Sequence, residues 1–346
     1  MNKGLLVLAF GLMFSLTAQA RDPVAQMTFC VTDDLGNVVT NASVRVSTFL
    51  KWIPGEGFGR DEYYSVEDVT DTNGVVVLEM QSVKGSVSYA VVSTNDPHFD
   101  NPTQMNISGI DYYRTVGGSS SFTNAVKGKW QPWNPTVNLV IKKVLNPIPM
   151  YAKRLRNLHP PFQIPEYDKA IGFDLMKGDW VAPYGKGEIE DFIFKMDCKF
   201  GDGMTSDRYQ MYDASLTLHF SNDDDGIQPF YVHPMRSSTL RLPRFAPESG
   251  YASNWIKTAY VHKDESHFEN REDENYLFRV RTKRDKGGNI TNALYGKISG
   301  ALSFDYEKHI SFTFYLNPTP NDRNLEFDPK QNLLKNLPWQ AEVQEP

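Results

Sequence analysis

Two glutamates one residue apart, in Gly187-Glu188-Ile189-Glu190-Asp191-Phe192, are the first side chains along the chain with the makings of a catalytic pair. Residues i and i+2 of a strand share a face, so Glu188 and Glu190 would stand side by side. Paired carboxyls could cleave a glycosidic bond, one protonating the leaving oxygen while the other attacks or activates water. The competing reading is a solvated strand end. A second cluster, Ser221-Asn222-Asp223-Asp224-Asp225-Gly226, offers oxygen ligands for Ca²⁺, with Asp223 and Asp225 as the metal candidates. An EF-hand loop starting at Ser221 would need a glutamate at its twelfth position, where Val232 stands. A polar hairpin turn accounts for the cluster more simply. His262 and His267 lie among several acids, but a spacing of five puts them on opposite faces of one strand, which argues against zinc.

Binding rather than catalysis is the chemistry of the next group. Trp130, Trp133 and Trp255 carry indoles on which sugar rings could stack, although large aromatics beside proline more often close the edge of a core. Arg279, Arg281 and Lys283 alternate along one stretch and could meet an acidic polysaccharide, or simply keep a surface solvated. No G-x-S-x-G, H-E-x-x-H, phosphate-binding loop or dinucleotide fingerprint is present. No cofactor is implied.

The elements that must position these residues are strands. Alternating apolar and polar residues recur in runs of five to ten between Gly, Asn, Asp and Pro. Val44, Val46 and Thr48 share a face, as do Val76, Leu78 and Met80, then Val87, Tyr89 and Val91, then Val137, Leu139 and Ile141. In the second half the same pattern links Phe192, Phe194, Met196 and Cys198, then Leu216, Leu218 and Phe220, and Tyr276, Phe278 and Val280. Ile298, Leu302 and Phe304 lead through Glu307-Lys308-His309 into Ile310, Phe312 and Phe314, which predicts a hairpin. Between the halves, Pro147, Pro149, Pro160, Pro161 and Pro165 cannot continue a central strand. They predict a linker over 146–165, with a short helix over Tyr151 to Leu158 as an alternative.

The ends and the composition set the compartment. Lys3, the apolar run Leu5 to Leu16 and Ala18-Gln19-Ala20 form an export signal cleaved after Ala20, too short to serve as a membrane anchor. The product is expected in the periplasm or outside the cell. With 36 Lys and Arg against 42 Asp and Glu, a net charge of −6, duplex nucleic acid is a poor partner. At 346 residues two cores are more economical than one. The cysteines, Cys30 and Cys198, are free to pair after export, and both the bridge and the two thiols stay open.

"VTDDLGNVVTNASVRV" followed by "VTDTNGVVVLEM" and "GSVSYAVVS" resembles the carboxypeptidase regulatory-like domain, a prealbumin-like β-sandwich. Gly36, Asn41-Ala42, Val44, Val46, Thr70, Asp71, Asn73, Gly74 and Leu78 carry the match. The inserts Phe49 to Tyr64 and Asn95 to Gly128 depart from it. The resemblance implies a passive scaffold or binding module. The second half, through "KGDWVAPYGKGEIEDF" and "FYLNPTPNDRNLEFDP", resembles uncharacterised secreted bacterial proteins, which implies no activity. "GEIEDF" is similar to the E-x-D-x-x-E strand of laminarinase-like hydrolases, but Phe192 and Ile193 stand where the last acid belongs.

The expected architecture is all-β: a signal peptide over 1–20, a front sandwich over 24–145, the linker, a second antiparallel sandwich over 166–335 and a tail over 336–346. The expected role is non-catalytic, with a polysaccharide or a cell-envelope protein as partner or a structural task in the envelope. A glycan hydrolase seated in the second half is the alternative.

Overall fold

The strand Val24–Asp33 alternates strictly between half-buried and buried residues, so Ala25, Met27, Phe29 and Val31 all turn inward. In the computed structural model this strand is the centre of a mixed sheet. It pairs antiparallel with Val75–Gln81 on one side and parallel with Thr136–Ile141 on the other. The structure describes residues 23–345 apart from 56, 82–85, 96–102, 112, 117–119, 124, 206–209, 233–239 and 270, so the segment expected to be an export signal falls outside the described residues. A second, antiparallel sheet runs Arg60–Val69, Ser43–Ile53, Ser86–Ser93, Thr103–Asp111. Val44 and Val46 from one sheet meet Phe29, Leu78 and Leu139 from the other in a sandwich-like core. The parallel pairing corrects the expectation of purely antiparallel sheets, because Thr136–Ile141 returns beside the first strand after a long excursion rather than through a hairpin.

The second half stacks two antiparallel sheets. One runs Tyr151–Arg154, Thr313–Leu316, Ile290–Ile298, Glu274–Arg284, Gly226–Tyr231. The other runs Asp179–Trp180, Ile171–Asp174, Phe192–Met204, Gln210–His219, Asn254–Val261, Ser266–Phe268. Phe192, Phe194 and Leu216 interleave with Phe278, Phe312 and Phe314 between them. The rings of Phe192 and Phe278 lie 5.0 Å apart, edge to face, an arrangement that the aromatic quadrupole favours. The predicted hairpin is present, with Ser303–Phe304 paired to Ile310–Ser311.

The two faces of this pair of sheets meet different fates. The sheet that contains Phe192–Met204 leaves its outer side open, showing Lys195, Asp197, Asp213, Ser215 and Thr258. The other is covered on its outer side. Leu242 and Ala246 from one loop and Leu325 from the stretch after the last strand pack on Leu277, Ala293 and Tyr295. Phe327 and Val343 pack on Met150, Ala152 and Tyr315. Glu274–Arg284 is consequently buried on both sides along most of its length. The proline-rich stretch is built into this half. Tyr151–Arg154 is a strand where a helix was the alternative, and Ile148 N–H donates to the carbonyl of Glu326 at 2.9 Å. Among the described residues the only helices are two three-residue 3₁₀ turns, and no helix is long and apolar enough to cross a membrane.

Polar contacts join the front sandwich to the second half. Arg244 forms an ion pair with Asp34 and a second with Glu326 at 2.7 Å, all three side chains being largely buried. Lys142 Nζ donates to the carbonyl of Arg241 at 2.9 Å, and Glu326 accepts from the amides of Leu145 and Asn146 at 2.7 and 2.6 Å. The connecting residues are thereby pinned at both ends.

Candidate functional site

Alternation at the edge of the covered sheet builds a polar concavity in the second half. In Ala152-Lys153-Arg154-Leu155-Arg156, Lys153 and Leu155 turn toward the main core, so Ala152 and Arg154 lie on the outer side. Arg154 is paired in register with Thr313, and Ala152 with Tyr315, which places Thr313 and Tyr315 on that side too. Lys297, opposite Tyr315 on the next strand, joins them. Arg241 and Leu242 arrive on the covering loop. Together with Arg156, Ser299, Gly300 and Glu345 these residues line a cavity of about 180 Å³.

Four cations thus face one carboxylate. Glu345, from the tail, meets Arg154 Nη2 at 3.0 Å. Lys297 is almost wholly buried, donates to the carbonyl of Leu325 at 2.6 Å and stands 4.6 Å over the Tyr315 ring. Arg156 donates from Nη2 to the carbonyl of Ala301 at 2.8 Å, while its buried Nε has no hydrogen-bond partner. Burial and then the neighbouring Arg154 charge both lower the Arg156 pKa, the mark of crowded cations. Burial likewise raises the pKa of Tyr315, whose hydroxyl stays protonated and donates to the carbonyl of Glu345 at 3.3 Å. The arrangement can bind an anion. It contains no carboxyl pair to serve as acid and base.

No family model, curated protein or solved structure matches this chain.

The residues singled out in the sequence are scattered. Glu188 and Glu190 are not on a strand, because Phe192–Met204 begins after them. Both are exposed, and Glu188 pairs with Lys177 at 3.1 Å. The aspartate turn and the arginine stripe turn out to hold each other. Asp225 accepts from the amides of Arg281 and Thr282, both at 2.9 Å. Arg279 donates to the carbonyl of Asp224, and Arg284 Nε reaches the Asp224 carboxylate at 2.8 Å. Asp223 stays exposed, away from this clasp. The turn fixes Arg281, whose φ of 56° lies in the left-handed region that side chains beyond glycine seldom adopt.

Trp130 is only 3% exposed in the front core. Trp133 is half-buried with Lys129 Nζ 4.3 Å over its ring, and Trp255 packs edge-on against Tyr276 at 5.7 Å. Cys30 and Cys198 are free thiols. Cys30 lies on the side of its strand away from the front core, and Cys198 packs against the main core of the second half, so the bridge left open by the sequence is not formed.

His262 and His267 depart from the expectation of opposite faces. The chain turns between them, and both rings stack on Tyr260, at 4.7 and 5.4 Å. His262 also contacts Asp213 at 2.9 Å, which with Glu265 raises its pKa. Asp305, Glu307 and His309 bring three potential ligand atoms within 4.8 Å of one another at the hairpin tip. Turn chemistry accounts for this group. Asp305 Oδ1 accepts the amides of Glu307 and His309, and Oδ2 contacts His309 Nδ1 at 2.7 Å.

Sequence reading missed Arg154, Arg156, Arg241, Lys297 and Glu345. The signal available was the alternation of residues 152 to 156, obscured by reading the surrounding prolines as a linker.

Proposed function

We propose that the chain is exported and acts as a non-catalytic β protein that binds an acidic polysaccharide of the cell envelope, with the second half as the binding unit. The observation that carries this reading is the convergence of Arg154, Arg156, Arg241 and Lys297 on one cavity with a single carboxylate, Glu345. Cationic concavities recognise carboxylate or sulfate groups through charge-assisted hydrogen bonds, and guanidinium does so with directional specificity. Of the two glutamates that a hydrolase could use, both are exposed off any strand and Glu188 is paired with Lys177 at 3.1 Å, outside the cavity. The front sandwich, with left-handed turns at Gly36 and Gly74 (φ 86° and 71°), serves as the carboxypeptidase regulatory-like scaffold that its sequence resembles.

The test is retention of the mature protein on immobilised polygalacturonate, alginate and neutral glucan, with release of reducing ends scored in parallel. Retention on the acidic polymers alone, weakened by salt and by the double substitution Arg154→Gln/Arg241→Gln, is the expected result. Equal retention by that variant, or release of reducing ends, would overturn the proposal.

A further inference from the structure

We propose that the cavity binds one carboxylate-bearing sugar residue at the end of a glycan chain, in the place that the Glu345 carboxylate now holds. The inference rests on the acidic-glycan reading and deepens it by naming the ligand unit.

Size is the first argument. Sites for drug-sized molecules run from about 300 to 1,000 Å³. A cavity of about 180 Å³ has room for a single ring and not for several. Charge is the second. The chain as a whole carries −6, so a long polyanion lying along its surface meets net repulsion, whereas a single acidic residue entering end-on meets four local cations. The polar lining fits a sugar as well as an anion. Ser299 and Thr313 contribute hydroxyls, and Arg156 lines the same wall.

Glu345 shows what the cavity accepts. One of its carboxylate oxygens lies 3.0 Å and the other 3.4 Å from Arg154 Nη2, the approach expected of any carboxylate. Its hold is light. Val343 is buried and anchors the tail, but two residues later the Glu345 side chain is 46% exposed, its carboxylate meeting Arg154 while its main-chain carbonyl accepts from Tyr315. Partly exposed ion pairs of this kind contribute little, so a uronate can displace Glu345 at a modest cost in affinity. Wild-type binding is therefore a competition between the ligand and the chain's own carboxylate.

Calorimetric titration of the full mature protein with methyl galacturonoside, methyl galactoside, inorganic sulfate and trigalacturonate tests this. The uronoside should bind at least tenfold more tightly than the neutral galactoside or sulfate, and the trimer within about threefold of the uronoside. Glu345→Gln should tighten the uronoside by roughly twofold to fivefold, the range an exposed ion pair commands, and leave the galactoside unchanged. Arg154→Gln, at a position one-third exposed and so tolerant of change, should abolish binding while the melting temperature stays near wild type. Sulfate binding as tightly as the uronoside, a trimer tighter by tenfold or more, or no effect of Glu345→Gln would each overturn the inference while leaving polymer retention intact. Loss of polymer retention altogether would instead sink the broader reading.

Discussion

Arg281 bonds both oxygens of Asp191, Nε to Oδ1 at 2.7 Å and Nη2 to Oδ2 at 2.8 Å. Asp191 is buried, and Asp174 stands 3.4 Å from the same guanidinium. Burial raises the Asp191 pKa against the lowering effect of Arg281, so the aspartate depends on that partner to stay charged. Removing Arg281 takes away the positive charge that both buried aspartates face, and breaking a buried pair in this way costs about 3 kcal/mol or more. Arg281→Gln should lower the urea midpoint accordingly. A midpoint equal to wild type would show the pair to be dispensable.

Asp34 gives the opposite sign. Burial pushes its pKa upward, but hydrogen bonding and charge from Arg244 outweigh this and hold it below its ordinary value of 3.8. A depressed carboxylate pKa contributes stability above the unfolded value, and that contribution fades as pH falls through the folded one. Asp34→Asn should therefore be less stable than wild type at pH 6, with the gap closing below about pH 3.8. Urea unfolding of both proteins across this range measures it. A gap that stays constant would mean that the Arg244 pair is not what sets the difference.

Thiol chemistry checks the cysteines. Burial, followed by the charges of Asp168 and Asp213, raises the Cys198 pKa, so little thiolate forms at neutral pH. Two alkylations per chain are expected after denaturation without reductant, with Cys198 slow to react in the folded protein. Mass spectrometry decides, and a denatured chain that takes up no reagent would point to a bridge.

Close packing in the covered sheet makes Gly296 irreplaceable. A Cβ at this position would overlap the Phe278 ring on one side and the Tyr315 carbonyl on the other. Gly296→Ala should cost on the order of 1–3 kcal/mol, as overpacking of a tight core does. A melting temperature unchanged from wild type would be the contrary result. Glu188→Gln, on an exposed side chain, should by contrast change stability by no more than about 0.5 kcal/mol.

Much of the sheet framework was legible because alternation is a local signal. Val44 and Val46, then Val76, Leu78 and Met80, and the run from Phe192 to Met196 face the core as their sequences say. Parallel pairing of Val24–Asp33 with Thr136–Ile141 was not legible, since no short-range pattern encodes a partner a hundred residues away. Nor was the double burial of Glu274–Arg284. It depends on the loop that carries Leu242 and on the stretch that carries Leu325, neither of which has a period to read. The cavity draws Arg154, Arg241, Lys297 and Glu345 from four separate segments, so only the folded sheet brings them together.

The place of Val24–Asp33 between an early strand and a late one has a consequence for the order in which the fold can form. The front core lacks one wall until residue 141 has emerged, and the second half closes only when residues 313–316 reach Tyr151–Arg154. Contacts so distant in sequence form slowly. Neither half can therefore settle while its last strands are missing, and the chain stays open until those strands have been made.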